Sequence, residues 1–141
     1  MNETIINNWK NTVGDDDIIW NLGDVANCEL KADKDKMYEL IHSLPGHKNL
    51  ILGNHDKQDI NYWHDIGFEF VSAYPIIYKD FFIMSHAPVF LNSSLPYGNI
   101  HGHVHCNSMA DKCYYNVSVE GIGYMPIDLE IVMAKMVRGN V

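Results

Sequence analysis

Three histidines alternate in the stretch Ile100-His101-Gly102-His103-Val104-His105. In extended backbone a spacing of two sends side chains to one face, and imidazoles gathered on one face make a ligand set for a metal ion rather than a packing solution. A surface strand that merely carries histidine would fit these six residues taken alone. Partners from elsewhere in the chain decide between the two readings.

Three other segments offer partners. Asp24 follows Gly23 at the end of the apolar run Ile18 to Leu22, Asn54 and His55 follow Leu50-Ile51-Leu52-Gly53, and His86 follows Phe81 to Ser85. With His103 and His105 they supply a carboxylate, an amide oxygen and imidazoles. That mixture of hard and borderline donors suits Mn, Fe, Zn, Co or Ni and is unlike a thiolate zinc site. Asp24 has two oxygens and can bridge two ions. Cys28, Cys106 and Cys113 read as ordinary thiols, with a zinc role left open for Cys106 beside the histidine run. His42, His47 and His64 fall in or beside helical segments and read as structural. His101 precedes the motif glycine and reads as a neighbour of the ligands. Tyr97 and Asn99 stand in a loop where they can line a pocket.

The elements that must position these groups follow from periodicity. Ile5, Ile6, Trp9 and Val13 share one face of an opening helix that stops at Gly14. Ile18 to Leu22 and Leu50 to Leu52 read as buried strands, each running straight into polar residues. Between them Met37, Leu40, Ile41 and Leu44 form one helical stripe ended by Pro45-Gly46. A helix from Asp59 to Ile66 precedes strands near Phe70-Val71, Ile76 to Tyr78 and Phe81 to Met84, the last two joined by a Lys79-Asp80 turn. Residues 89 to 99, with Asn92, Ser93, Ser94, Pro96 and Gly98, read as a loop. Tyr114 to Val119 alternates as a strand, and Leu129, Val132, Met133 and Met136 mark a closing helix. Strands alternating with helices point to an α/β layered domain, in which ligands collect beyond the carboxyl ends of strands.

The 141 residues suit one domain, 1–141, able to bury a core without staples. Ten basic against eighteen acidic residues give a formal charge of -8, which repels a polyanionic backbone and makes nucleic acid an unfavourable partner. Three cysteines without framework spacing, and no secretory leader pattern, suit the cytoplasm. No apolar run nears the ~18 residues of a membrane span.

Gly23-Asp24, Gly53-Asn54-His55-Asp56, Ser85-His86-Ala87 and Gly102-His103-Val104-His105, in this order and each after an expected strand, resemble the calcineurin-like metallophosphoesterases. The resemblance covers most of the chain. It implies a layered metallophosphoesterase-like α/β fold, with sheets flanked by helices, and a hydrolase of phosphomonoesters or phosphodiesters that uses manganese or a similar divalent ion. Asp24 would bridge two metals, Asn54, His86 and His103 would complete the second, and His105 would belong to the first. His55 would be the non-ligand histidine that donates a proton toward the leaving oxygen, with Asp24 the other catalytic residue. Two cations roughly 3.5 to 4 Å apart would activate a water and clamp the phosphoryl oxygens.

Two departures qualify the resemblance. The family's opening Asp-x-His motif is absent, and Asn27 stands where the family carries an acidic residue three positions after the bridging aspartate. The expectation is therefore a domain lacking its first strand, N-terminally shortened. It would be a shortened frame of a full enzyme, a natural one-metal form of reduced activity, or a non-catalytic binding or inhibitory protein on a degenerate scaffold. Two metals would be held if His101, Asp111 or a second chain rebuilt the first site, otherwise one. The substrate would be a small phosphoester, and a homodimer would cover the edge left by the missing strand.

Overall fold

The computed structural model describes residues 2–26, 31–92, 94 and 97–139. Asn27 and Cys28, and the loop residues Ser93 and Pro96, lie outside the described residues. The elements run α1 (Asn2–Thr12), β1 (Ile18–Asn21), α2 (Lys31–Ser43), β2 (His47–Ile51), α3 (Ile60–Asp65), β3 (Phe70–Ser72), β4 (Ile76–Tyr78), β5 (Phe82–Ser85), β6 (Gly98–His101), β7 (Tyr114–Asn116) and α4 (Leu129–Gly139).

The expected layered α/β metallophosphoesterase-like fold with a missing first strand is corrected by this structure. The strands divide between two small sheets in a β-solenoid-like arrangement, and helix makes up 29% of the chain. One sheet holds three parallel strands in the order β1-β2-β3, and the other holds four in the order β4-β5-β6-β7. The second is mixed, with β4 antiparallel to β5 while β5, β6 and β7 run parallel. Hydrophobic periodicity locates the helices and most strands, but not the start of β6, where Gly98 and Asn99 stand in a strand and not in the expected loop, nor which strands pair. The division comes between β3 and β4, across Ala73-Tyr74-Pro75; within the second sheet the β4–β5 hairpin turns at Lys79 and Asp80, which both take positive φ (51° and 58°), the left-handed pair of a tight hairpin.

Alternation along the first sheet gives it two apolar faces. Ile19, Leu50 and Val71 join Trp9, Ile41, Leu44, Trp63, Ile66 and Phe68, so α1, α2 and α3 pack on one face. Leu22 and Ile51 turn the other way, toward Met84 and Ile100 of the second sheet and Val132, Met133 and Met136 of α4. Trp20 spans this second cluster edge-on to Phe70 and Tyr78, at centroid distances of 5.6 and 6.3 Å. Local signals hold the first cluster in register. The Asp59 side chain caps α3 by accepting from the Tyr62 N–H at 2.9 Å, and Lys48 Nζ donates to the Leu44 carbonyl at 2.8 Å, just beyond the end of α2. Burial pulls the Lys48 pKa down, while nearby Glu69 pushes it back up.

Leu50 is fully buried at the centre of the first cluster. Leu50→Ala should cost about 2–5 kcal/mol, read as a lower urea midpoint with an unchanged slope. A loss below about 1 kcal/mol would mean that this interior collapses around the vacated space.

Candidate metal centre

Both sheets end at the same place. Gly23 and Asp24 follow β1, Gly53 and Asn54 follow β2, His86 follows β5, and His103 follows β6. Their donor atoms converge: His86 Nε2 lies 2.9 Å from Asn54 Oδ1, 3.0 Å from His103 Nδ1 and 3.4 Å from Asp24 Oδ2. The ligand atoms of Asp24, His86 and His103 all fall within 4.8 Å of one another.

The protonation of His86 follows from its other nitrogen. Nδ1 stands 2.7 Å from the Leu22 carbonyl oxygen, which only accepts, so Nδ1 carries a proton, and in the neutral ring Nε2 is the nitrogen that presents a lone pair. That lone pair faces a carboxylate oxygen, an amide oxygen and a second imidazole nitrogen. Acceptors this close repel one another unless a proton or a cation sits among them. Neighbouring donors on one cation, each about 2.0–2.2 Å from it, stand roughly 2.9–3.4 Å apart. The three spacings from His86 Nε2 match that geometry, and the Nδ1–H···O=C bond is the kind of support that orients a ligating histidine. The donor set therefore fits a divalent transition ion.

The backbone here is shaped for the site. Asp24 and His103 take positive φ (57° and 66°) although neither is glycine, a conformation that costs free energy and gathers at functional positions. The histidine run is thus not extended throughout. β6 ends at His101, and both His103 and His105 (φ 52°) lie in a left-handed turn, so strict alternation of the three imidazoles does not hold. The turn is braced by Asn116, whose amide donates to the carbonyls of His105 and Asn107 at 2.6 and 2.8 Å. Glycine is required at two points. A Cβ on Gly23, itself at φ +97°, would press on the His86 ring and the Gly53 backbone, and one on Gly53 would collide with the Asp24 carboxylate.

Beneath the donors lies Asp56, only 6% exposed. Its Oδ2 accepts from the N–H of Asp24 (2.7 Å) and of Gly53 (2.8 Å), and its Oδ1 from Val25 (2.8 Å) and Ala26 (3.3 Å). Burial pushes the Asp56 pKa up, and the four backbone N–H groups oppose that shift. One side chain thereby clamps the loop after β1 to the loop after β2.

The other expected residues lie around this cluster. His55 is exposed beside Asn54, and its backbone N–H donates to Asp24 Oδ1 at 2.9 Å. His105 stands apart from the cluster; its Nδ1 donates to Glu120 Oε1 at 3.1 Å. The Glu120 pKa is lowered by backbone hydrogen bonding first and by the His105 contact second. His101 is fully buried, donates from Nδ1 to the Gly102 carbonyl at 2.9 Å and leaves Nε2 without a protein partner among the described residues. Burial lowers its pKa. Asp111 accepts from the Cys113 N–H, away from the donors, and Cys106 is exposed. His42, His47 and His64 bond to the Tyr38 carbonyl, to Glu69 and to the Phe68 carbonyl.

No protein-family model matches the chain. It is 35% identical over 154 aligned positions to the uncharacterized protein MJ1445 of Methanocaldococcus jannaschii, across 100% of this chain and 78% of that one. The chain belongs to the family of MJ1445. Shorter stretches of this MJ1445-family chain resemble phage proteins. The gene 66 protein of Mycobacterium phage D29 is 43% identical over 49 residues, 35% of this chain and 24% of that protein. The solved structure of AQ665, a protein of unknown function from Aquifex aeolicus, matches with a TM-score of 0.69 over 94% of this chain and 83% of that one. At 23% identity, that likeness concerns the fold alone.

Sequence reasoning assigned no role to Asp56 or Glu120. Asp56 had a signal, since it sits two residues after the ligand candidate Asn54; Glu120 had none. Asp56→Asn would turn an NH2 group toward backbone donors and lose charge-assisted bonds worth about 1.5–3 kcal/mol each. Amide exchange at Asp24, Val25 and Gly53 should then accelerate roughly tenfold or more, while amides in α4 stay protected. Unchanged exchange at those amides would remove the clamp from Asp56.

Proposed function

We propose that this chain is a metal-dependent phosphoesterase that hydrolyses small phosphomonoesters or phosphodiesters. The observation that carries the reading is the convergence of Asp24 Oδ2, Asn54 Oδ1, His86 Nε2 and His103 Nδ1 at 2.9–3.4 Å around the His86 nitrogen. One divalent ion, Mn, Fe, Zn, Co or Ni, fits these four donors. When bound, such an ion polarises a phosphoryl oxygen and activates a water for in-line attack. With His105 engaged by Glu120, the reading is one tightly held ion and reduced activity compared with a two-metal site.

The chain's own residues do the rest. Asp24 contributes charge, and its second oxygen is held by the His55 N–H. Asn54 and the two histidines are neutral donors that leave net positive charge on the site for an anionic ester. The His55 ring, exposed at the rim, delivers a proton toward the departing ester oxygen, a contribution typically of about 100- to 10,000-fold. Small esters suit a chain with a formal charge of -8, which disfavours polyanions. Among the described residues no helix is long and apolar enough to cross a membrane, and the unframed cysteines place the protein, in this reading, in the cytoplasm.

The test is release of p-nitrophenol from p-nitrophenyl phosphate and bis(p-nitrophenyl) phosphate after dialysis and addition of Mn2+ or Ni2+. Wild type should be metal-stimulated. His55→Ala should lose roughly 100-fold or more in kcat while still binding Mn2+, and His103→Ala should lose Mn2+ binding as well. No stimulated release, with His55→Ala equal to wild type, would favour a non-catalytic binding protein on the same scaffold.

A further inference from the structure

Beside the donor cluster lies a cleft of about 220 Å3, which His86 and its own segment share with residues from two other places in the chain. Leu52 follows β2, Ala73 and Tyr74 follow β3, and Pro88 and Val89 come from the segment after β5. Among the described residues no lysine, arginine, aspartate or glutamate lines it. Tyr74 is 76% exposed, and Phe90, next to the lining residue Val89, is 87% exposed. Large aromatic side chains left this open have apolar area to offer an incoming ring.

The segment after β5 is held in place before any ligand arrives. The Val89 N–H donates to Asn99 Oδ1 at 2.9 Å, and the Val89 carbonyl accepts from the Tyr114 hydroxyl at 2.9 Å. Asn99 is fully buried and donates in turn to the Ile83 carbonyl and Ser85 Oγ, each at 2.9 Å. Ser85 Oγ donates to the Ala87 carbonyl at 2.7 Å. A polar network that spends buried side chains on one surface segment pre-forms it, so little ordering cost remains for binding.

Resting on the phosphoesterase reading, we propose that this cleft selects esters carrying a neutral aromatic group, aryl or nucleobase-like, and seats that ring beside His86. Size supports a single ring system, because the cleft is smaller than the roughly 300–1,000 Å3 that encloses a drug-sized ligand. Among the described residues the lining offers no charged partner to a second phosphate or a carboxylate, which disfavours either as the occupant. An alkyl ester would fill the space less well and forgo contact with Tyr74.

The proposal is tested by calorimetry on the Mn2+-loaded protein with two non-hydrolysable anions, phenylphosphonate and methylphosphonate. Wild type should bind phenylphosphonate about tenfold more tightly. Tyr74→Ala, at an exposed side chain whose loss leaves the core intact, should reduce that preference several-fold. Ala73→Phe, which fills the cleft, should abolish it while Mn2+ and methylphosphonate affinities stay unchanged. Equal affinity of wild type for the two anions, or a preference unchanged in both variants, would overturn the aromatic cleft and leave the phosphoesterase reading standing. Failure of both anions to bind a protein that holds Mn2+ would overturn that reading and the cleft together.

Discussion

The carboxylate of Asp56, buried beneath the donor cluster, accepts four backbone N–H groups from two loops that are far apart in sequence. Taking a charge out of water costs several kcal/mol unless it is fully hydrogen-bonded, and here charge-assisted bonds to amides offset that cost. Because both loops share one acceptor, the chain after β1 cannot shift without the chain after β2. Asp24 and Asn54 therefore keep a fixed separation, and Gly23 and Gly53 let the two backbones approach closely enough to share it.

The second sheet is registered onto this clamp by different means. The His86 ring donates to the Leu22 carbonyl, and the Gly102 N–H donates to the His86 carbonyl at 2.9 Å, so the chain passes from β1 to β5 to β6 through consecutive hydrogen bonds. Under them Leu22, Ile51, Met84 and Ile100 form one apolar cluster, which sets the spacing between the two sheets. Each sheet delivers two donors to its carboxyl-end rim, and the packed interior decides how far apart they stand.

Much of this was legible in the sequence, residue by residue. The stripe of Trp9, the helix expected from Asp59 to Ile66, and the hairpin at Lys79-Asp80 rest on local signals, and the helices and turns formed where those signals lie. Polar residues immediately after apolar runs identified Asp24, Asn54, His86 and His103, which the structure brings together. Pairing was not legible, because periodicity carries no record of a strand's neighbour, and so one layered architecture was expected where two small sheets formed. The histidine run misled for a related reason. Alternation implies three imidazoles on one face only while the backbone stays extended, and two left-handed residues end that at His103 and His105. Glu120 was invisible because its partner lies fifteen positions away with no motif between them.

A single ion held by Asp24, Asn54, His86 and His103 is the central claim, and anomalous diffraction at the manganese edge from a crystal soaked in Mn2+ tests it most directly. The expected result is one strong peak within coordination distance of Asp24 Oδ2, Asn54 Oδ1, His86 Nε2 and His103 Nδ1, with the His86 Nδ1 to Leu22 hydrogen bond kept. Absence of a peak there at millimolar Mn2+, or a peak only between His105 and Glu120, would contradict it.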